Sequence, residues 1–155
     1  MFKTNVMRLL DAQKIDYQAF EYNPDITEGI KIAEALGEEK DRVFKTLVTE
    51  SDKGNHYVFV IPVAETLDLK AAAKSVNEKS VAMLKQKELL PLTGYIHGGC
   101  SPIGMKKPFT TVIDETATLF DTMYVSAGRV GYQIEINPID LSNYINAKFC
   151  NITVI

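Results

Sequence analysis

The sequence predicts an α+β fold, a single domain over residues 1–155 with a central mixed β-sheet flanked by helices. Three observations predict it. The 155 residues are 46% hydrophobic and 24% charged, with 9 Gly and 6 Pro. These are the proportions of one globular domain able to bury roughly two thirds of its unfolded surface, and they exclude disordered, collagen-like and low-complexity chains. Strand-like and helix-like segments mix without strict alternation. One of them, His56 to Val63, is almost wholly apolar and fits the middle of a sheet.

In chain order, Thr4 is placed to cap a short helix carrying Val6, Leu9 and Leu10. Tyr17–Tyr22 reads as extended and is broken by Asn23-Pro24-Asp25. Thr27 is the expected cap of a second helix with Ile30, Ala33 and Leu36 aligned, ended by Gly37. Val43–Thr49, rich in β-branched and aromatic residues, pairs with His56–Val63 as a hairpin across the turn Ser51–Gly54. Asp68 caps a helix through Lys74, Val81–Met83 is a short strand, and Gln86–Leu90 is helical. Thr110–Ile113 and Met123–Val125 are strands, with a short helix at Glu115–Leu119 between them. Tyr132–Ile136 is a strand after the turn Ser126–Gly131. Asn137-Pro138 opens the last helix, and Phe149–Ile155 is a final strand.

Charge is unevenly spread. The net charge is -3, which argues against binding nucleic acid by bulk charge alone. Residues 70–107 nevertheless hold seven lysines against two acidic residues: Lys70, Lys74, Lys79, Lys85, Lys87, Lys106 and Lys107. That stretch is either a set of solvated helix faces or an anion-facing side of an acidic protein. The two cysteines, Cys100 and Cys150, form no Cys-x-x-Cys pair, so neither structural zinc nor thioredoxin-like chemistry has support. The longest apolar run, Tyr57–Ala64, is too short to span a membrane, and the first residues lack a secretory apolar region. A soluble cytoplasmic protein without metal or cofactor is expected.

The densest signal is the loop Gly94–Gly104, which holds four of the nine glycines. Glycine permits close backbone approach and positive φ, so that successive N–H groups converge on an anion or a developing oxyanion. Ser101 adds a hydroxyl. The P-loop pattern fails, because Met105 stands where lysine is needed and Pro108 blocks the helix. Gly-x-Ser-x-Gly is absent. Lys45 is the second signal. Period 2 places it with Val43 and Leu47, opposite Phe44, Thr46 and Val48. A lysine lining a cavity holds a phosphate or polarises a carbonyl as a point charge, whereas one on an edge strand snorkels to water. Cys100 and His97 invite a nucleophile reading, but no third orienting group is identifiable.

Three motifs in order, Val43-Phe44-Lys45-Thr46-Leu47, Gly94-Tyr95 with Gly98–Gly104, and Ser126-Ala127-Gly128-Arg129, resemble the YbaK/EbsC family. These are free-standing aminoacyl-tRNA deacylases related to the editing domain inserted in bacterial prolyl-tRNA synthetases. The resemblance spans roughly residues 4 to 152. It implies trans-editing of Cys-tRNA(Pro), the substrate's own thiol attacking its ester to release a thiolactone. The expected partners are the mischarged tRNA 3′ end and prolyl-tRNA synthetase. It also implies that Lys45 is the essential lysine. Backbone N–H groups around Gly98, Gly99, Cys100 and Ser101, in the segment closed by Pro102 and Gly104, would surround the scissile carbonyl. Gly128 and Arg129 would border the pocket. Phe20 and Tyr22 stand where related members place a Tyr and a His, and Cys100 where Ile or Val is common. These departures bear on amino-acid specificity. Ala-tRNA(Pro) or another mischarged tRNA is the alternative substrate, and a non-catalytic module for nucleotide or RNA ends is the alternative class.

Overall fold

A computed structural model describes residues 2–154. Thr4 caps α1 (Asn5–Ala12), its side chain accepting from the Met7 N–H, and the helix buries Val6, Met7 and Leu10. β1 (Tyr17–Glu21) follows, then α2 (Gly29–Leu36), ended by Gly37 at φ 71°. The hairpin is β2 (Phe44–Ser51) with β3 (His56–Pro62). Asp68 caps α3 (Leu69–Ser75) by accepting from the Lys70 and Ala71 N–H groups. β4 (Val81–Met83) and α4 (Gln86–Thr93) lead to the glycine loop. Beyond the loop come β5 (Thr110–Asp114), a 3-10 turn (Glu115–Leu119), β6 (Met123–Ser126), β7 (Tyr132–Ile136), α5 (Pro138–Ile145) and β8 (Lys148–Cys150).

The fold is α+β, but its strands form two sheets where one was expected. A five-stranded mixed sheet has the order β4-β2-β3-β5-β8, with β3 central as its apolar sequence implies. A three-stranded antiparallel sheet has the order β1-β7-β6. The first and last thirds of the chain pair with each other in this smaller sheet, a long-range pairing that local patterning does not reveal. A bridge between Val43 and Tyr124 links the two. Phe44, Val60 and Ile113 of one sheet pack against Val125, Ile134 and Ile136 of the other, with α1 and Leu141 of α5 completing that core. α3 covers the opposite face of the larger sheet, over Phe59, Ile61 and Val112.

Two local expectations change. α2 starts at Gly29 with Glu28 as its cap residue, so Thr27 stands outside the helix. A Cβ on Gly29 would lie 2.5 Å from Val63 Cβ, so glycine is what lets this end of α2 meet Val63. The last strand is only three residues long. After Cys150 the chain turns beside Leu67, the Asp68 N–H donating to Ile152 O and the Val154 N–H to Thr66 O. Ile155, included in the expected strand, lies outside the described residues. Among the described residues no helix is long and apolar enough to cross a membrane.

Candidate active site

β2 is open along one edge just where Lys45 sits. The bridge to Tyr124 falls at Val43 and β4 joins only at Thr49–Ser51, so Lys45–Leu47 ladder with β3 alone. A cavity of about 280 Å³ occupies this edge. Val43 to Leu47 form one wall. Thr27, Gly29 and Ile32 close it from α2, and Leu89 from α4. His97, Gly98 and Cys100 enter from the glycine loop, and Ser126 and Gln133 from the paired ends of β6 and β7.

Lys45 is half-buried and makes no ion pair among the described residues. Burial pulls its pKa below the usual lysine value, and Glu65 partly offsets this. Cys100 shows the same physics with the opposite sign. Burial pushes its thiol up to about 12, so at neutral pH it is a protonated wall atom. No Asp or Glu lines the cavity.

The remaining predicted residues stand outside this lining. Gly99 is buried, and a Cβ there would lie 3.1 Å from the Val130 N atom. Its N–H donates to Ile96 O at 3.0 Å. Ser101 is fully buried, its Oγ accepting from the Ile103 N–H at 3.3 Å. Pro102 and Gly104 border a separate hollow with Leu9 and Tyr144. Gly128 packs under Val6 and Tyr95. Arg129 lays its guanidinium over the Phe2 ring, 4.6 Å from the centroid. Phe20 packs on Tyr124, with ring centroids 5.6 Å apart, and the buried Tyr22 donates its N–H to Gly131 O at 2.9 Å. Burial and packing thus draw these residues into the frame around the cavity. Lys45, Gly98 and Cys100 are the predicted residues that reach it.

Sequence patterning overlooked Thr46 and Gln133. In Tyr132–Ile136 the isoleucines set the alternation, which makes Gln133 look solvent-facing. Gln133 instead faces the cavity that α2 closes, and it is 5% exposed.

The sequence model of the aminoacyl-tRNA editing domain family matches residues 23–144. The chain belongs to this family. A relative from Enterococcus faecalis carries the name EbsC and an assignment as a Cys-tRNA(Pro)/Cys-tRNA(Cys) deacylase. It is 46% identical over 153 residues, which cover 97% of this chain and 93% of the relative. Among solved structures, the hypothetical protein APE2540 superposes with a TM-score of 0.90 at 21% identity, covering 97% of this chain and all of the other. A structure assigned as a trans-editing enzyme for prolyl-tRNA synthetase gives a TM-score of 0.86 at 21% identity, with both chains fully covered. These likenesses share the fold.

The cavity of about 280 Å³ is just below the ~300–1,000 Å³ of typical ligand pockets. The cavity offers a cation without a salt-bridge partner among the described residues and a protonated thiol. Gly98 and Cys100 N–H groups have no backbone partner among the described residues. These are tools for holding and polarising a carbonyl.

Proposed function

We propose that this chain is a trans-editing deacylase that removes cysteine from Cys-tRNA(Pro). The observation that carries the reading is Lys45, a lone cation in a small cavity whose only thiol is held protonated. The 46% identity to a relative assigned as a Cys-tRNA deacylase supports the substrate.

In this reading the substrate supplies the nucleophile. Its sulfur attacks its own ester carbonyl, so a C–S bond forms and the C–O bond to the terminal ribose breaks. The thiol proton passes to the departing ribose oxygen. The products are cysteine thiolactone and tRNA with a free terminal hydroxyl. Lys45 stabilises the developing oxyanion as a point charge, together with the Gly98 and Cys100 N–H groups. The cavity orients thiol and carbonyl for an intramolecular step. The exposed lysines between Lys70 and Lys107 face the tRNA backbone, and prolyl-tRNA synthetase is the partner that presents the substrate. Residues 1–155 act as one editing domain in the cytoplasm.

Deacylation of Cys-tRNA(Pro), Ala-tRNA(Pro) and Pro-tRNA(Pro) by the parent protein and by Lys45→Ala tests this. Lys45-dependent loss of cysteine from the first is expected. Preference for alanine would overturn the cysteine reading. Binding of tRNA without turnover of any ester would favour a non-catalytic RNA-end module.

A further inference from the structure

Two polar atoms of residues that line the cavity have no role in the chemistry above. Gln133 Oε1 is sealed from solvent and finds no hydrogen-bond partner in the protein, and the same is true of Thr46 Oγ1. Orphaned buried acceptors are costly and few in native proteins. These are the two such side-chain atoms among the described residues, and both belong to residues lining the same cavity. They come from different sheets, Thr46 from β2 and Gln133 from β7. Shared local strain therefore does not explain both.

The rest of the lining sharpens what they would accept. With no carboxylate there, a donor entering the cavity meets neutral oxygens. Ser126 Oγ already accepts from the Gly128 N–H at 3.1 Å. A ligand satisfying both orphans brings at least two N–H or O–H donors. In an aminoacyl ester the α-amino group beside the carbonyl carries them on a single nitrogen. Neutral acceptors hold it without adding a carboxylate to the lining beside Lys45, whose charge stays available to the ester oxygen. The last torsion of a glutamine side chain is soft, so a small rotation turns Oε1 toward the ligand.

We propose that Gln133 Oε1 and Thr46 Oγ1 receive the free α-amino group of the substrate, so that the site accepts unblocked aminoacyl esters and rejects N-acylated ones, peptidyl esters included. This rests on the deacylase reading. A site built to hydrogen-bond a donor discriminates strongly against an analogue lacking it.

The test compares Cys-tRNA(Pro) with N-acetyl-Cys-tRNA(Pro), whose thiol remains free. The enzymes are the parent, Gln133→Met and Thr46→Val, each checked by thermal melting. In parallel, calorimetry measures binding of the amide-linked analogue 3′-cysteinylamino-3′-deoxyadenosine and its N-acetyl form. Expected is a parent preference for the free amine on the order of ten- to a hundred-fold, reduced toward unity in both variants. Equal handling of free and acetylated ligands by the parent overturns the proposal, as does binding of neither analogue. Variants that lose both ligands equally also overturn it. If Gln133→Met fails to fold, Thr46→Val decides. No turnover combined with amine-dependent binding would reject the deacylase reading and leave the amine site standing.

Discussion

In the glycine loop, residues 97–100 present His97, Gly98 and Cys100 to the cavity, whereas residues 101–104 turn inward and bury Ser101, Pro102 and Ile103. Both halves use glycine at positive φ, Gly98 at 88° and Gly104 at 78°. The surroundings differ. A Cβ on Gly98 would meet only Val130 Cγ2, at 3.6 Å, but on Gly104 it would fall 2.9 Å from Tyr95 Oη and 3.0 Å from Leu9 Cδ1. Tyr95 Oη donates to Ile103 O and so ties the start of the loop to its end. The front half leaves space for a ligand, and the back half removes side chains so that a tyrosine strut fits. Glycine density alone does not distinguish these roles; the atoms nearest each missing Cβ do.

Lys45→Ala should have the largest effect on activity. Removing a preorganised charge from a water-poor site costs on the order of a hundred- to a thousand-fold in rate. Single-turnover deacylation checks this, and melting no lower than the parent's would show that the loss is chemical. The packing around the Tyr95 strut should respond through stability instead. Gly128→Ala places a Cβ 2.9 Å from Val6 Cγ2 and 3.0 Å from Tyr95 Cε1, at φ +89°. Left-handed strain of roughly 1–2 kcal/mol and overpacking of roughly 1–3 kcal/mol predict a large drop in unfolding free energy, read by denaturant titration. Tyr95→Phe keeps the ring and deletes the strut's hydrogen bond, for about 1 kcal/mol in the same assay. Gly98→Ala retains the strain without the clash. It should destabilise less than Gly128→Ala and act mainly on the KM for aminoacyl-tRNA.

The pH dependence is smaller and follows from Lys45. Burial lowers its folded pKa, so between that value and the ordinary lysine value the folded state binds fewer protons than the unfolded one. Stability therefore suffers from Lys45 at neutral pH and recovers as pH rises through this window. Lys45→Met should melt higher than the parent at neutral pH, the gap closing toward the ordinary lysine pKa. The enzymatic rate, corrected for spontaneous ester hydrolysis, should fall on the alkaline side as Lys45 loses its proton, at a pH below the ordinary value.

Much of this architecture is legible in the residues. Asp68 and Asn137 cap the helices they precede, and the apolar run after His56 is the central strand of its sheet. Lys45 stands out as a charge in an apolar strand and lies in the cavity wall. What stayed hidden depends on long-range pairing. The split into two sheets follows from β1 pairing with β7 more than a hundred residues later, which no local period encodes. The burial of Gln133 is hidden too, because α2 closes over its side of β7 only in the folded chain. Ser101 and Arg129 carry suggestive chemistry, but the Ile103 N–H engages Ser101 and the Phe2 ring holds Arg129.

In the proposed mechanism the cavity polarises an ester through Lys45 and supplies no nucleophile of its own. Cys100→Ala and Lys45→Ala, measured side by side on Cys-tRNA(Pro) in single turnover at neutral pH, test it most directly. Cys100→Ala should retain a rate close to the parent's while Lys45→Ala loses nearly all of it. A collapse in Cys100→Ala with activity surviving in Lys45→Ala would contradict it and make the buried thiol the attacking group.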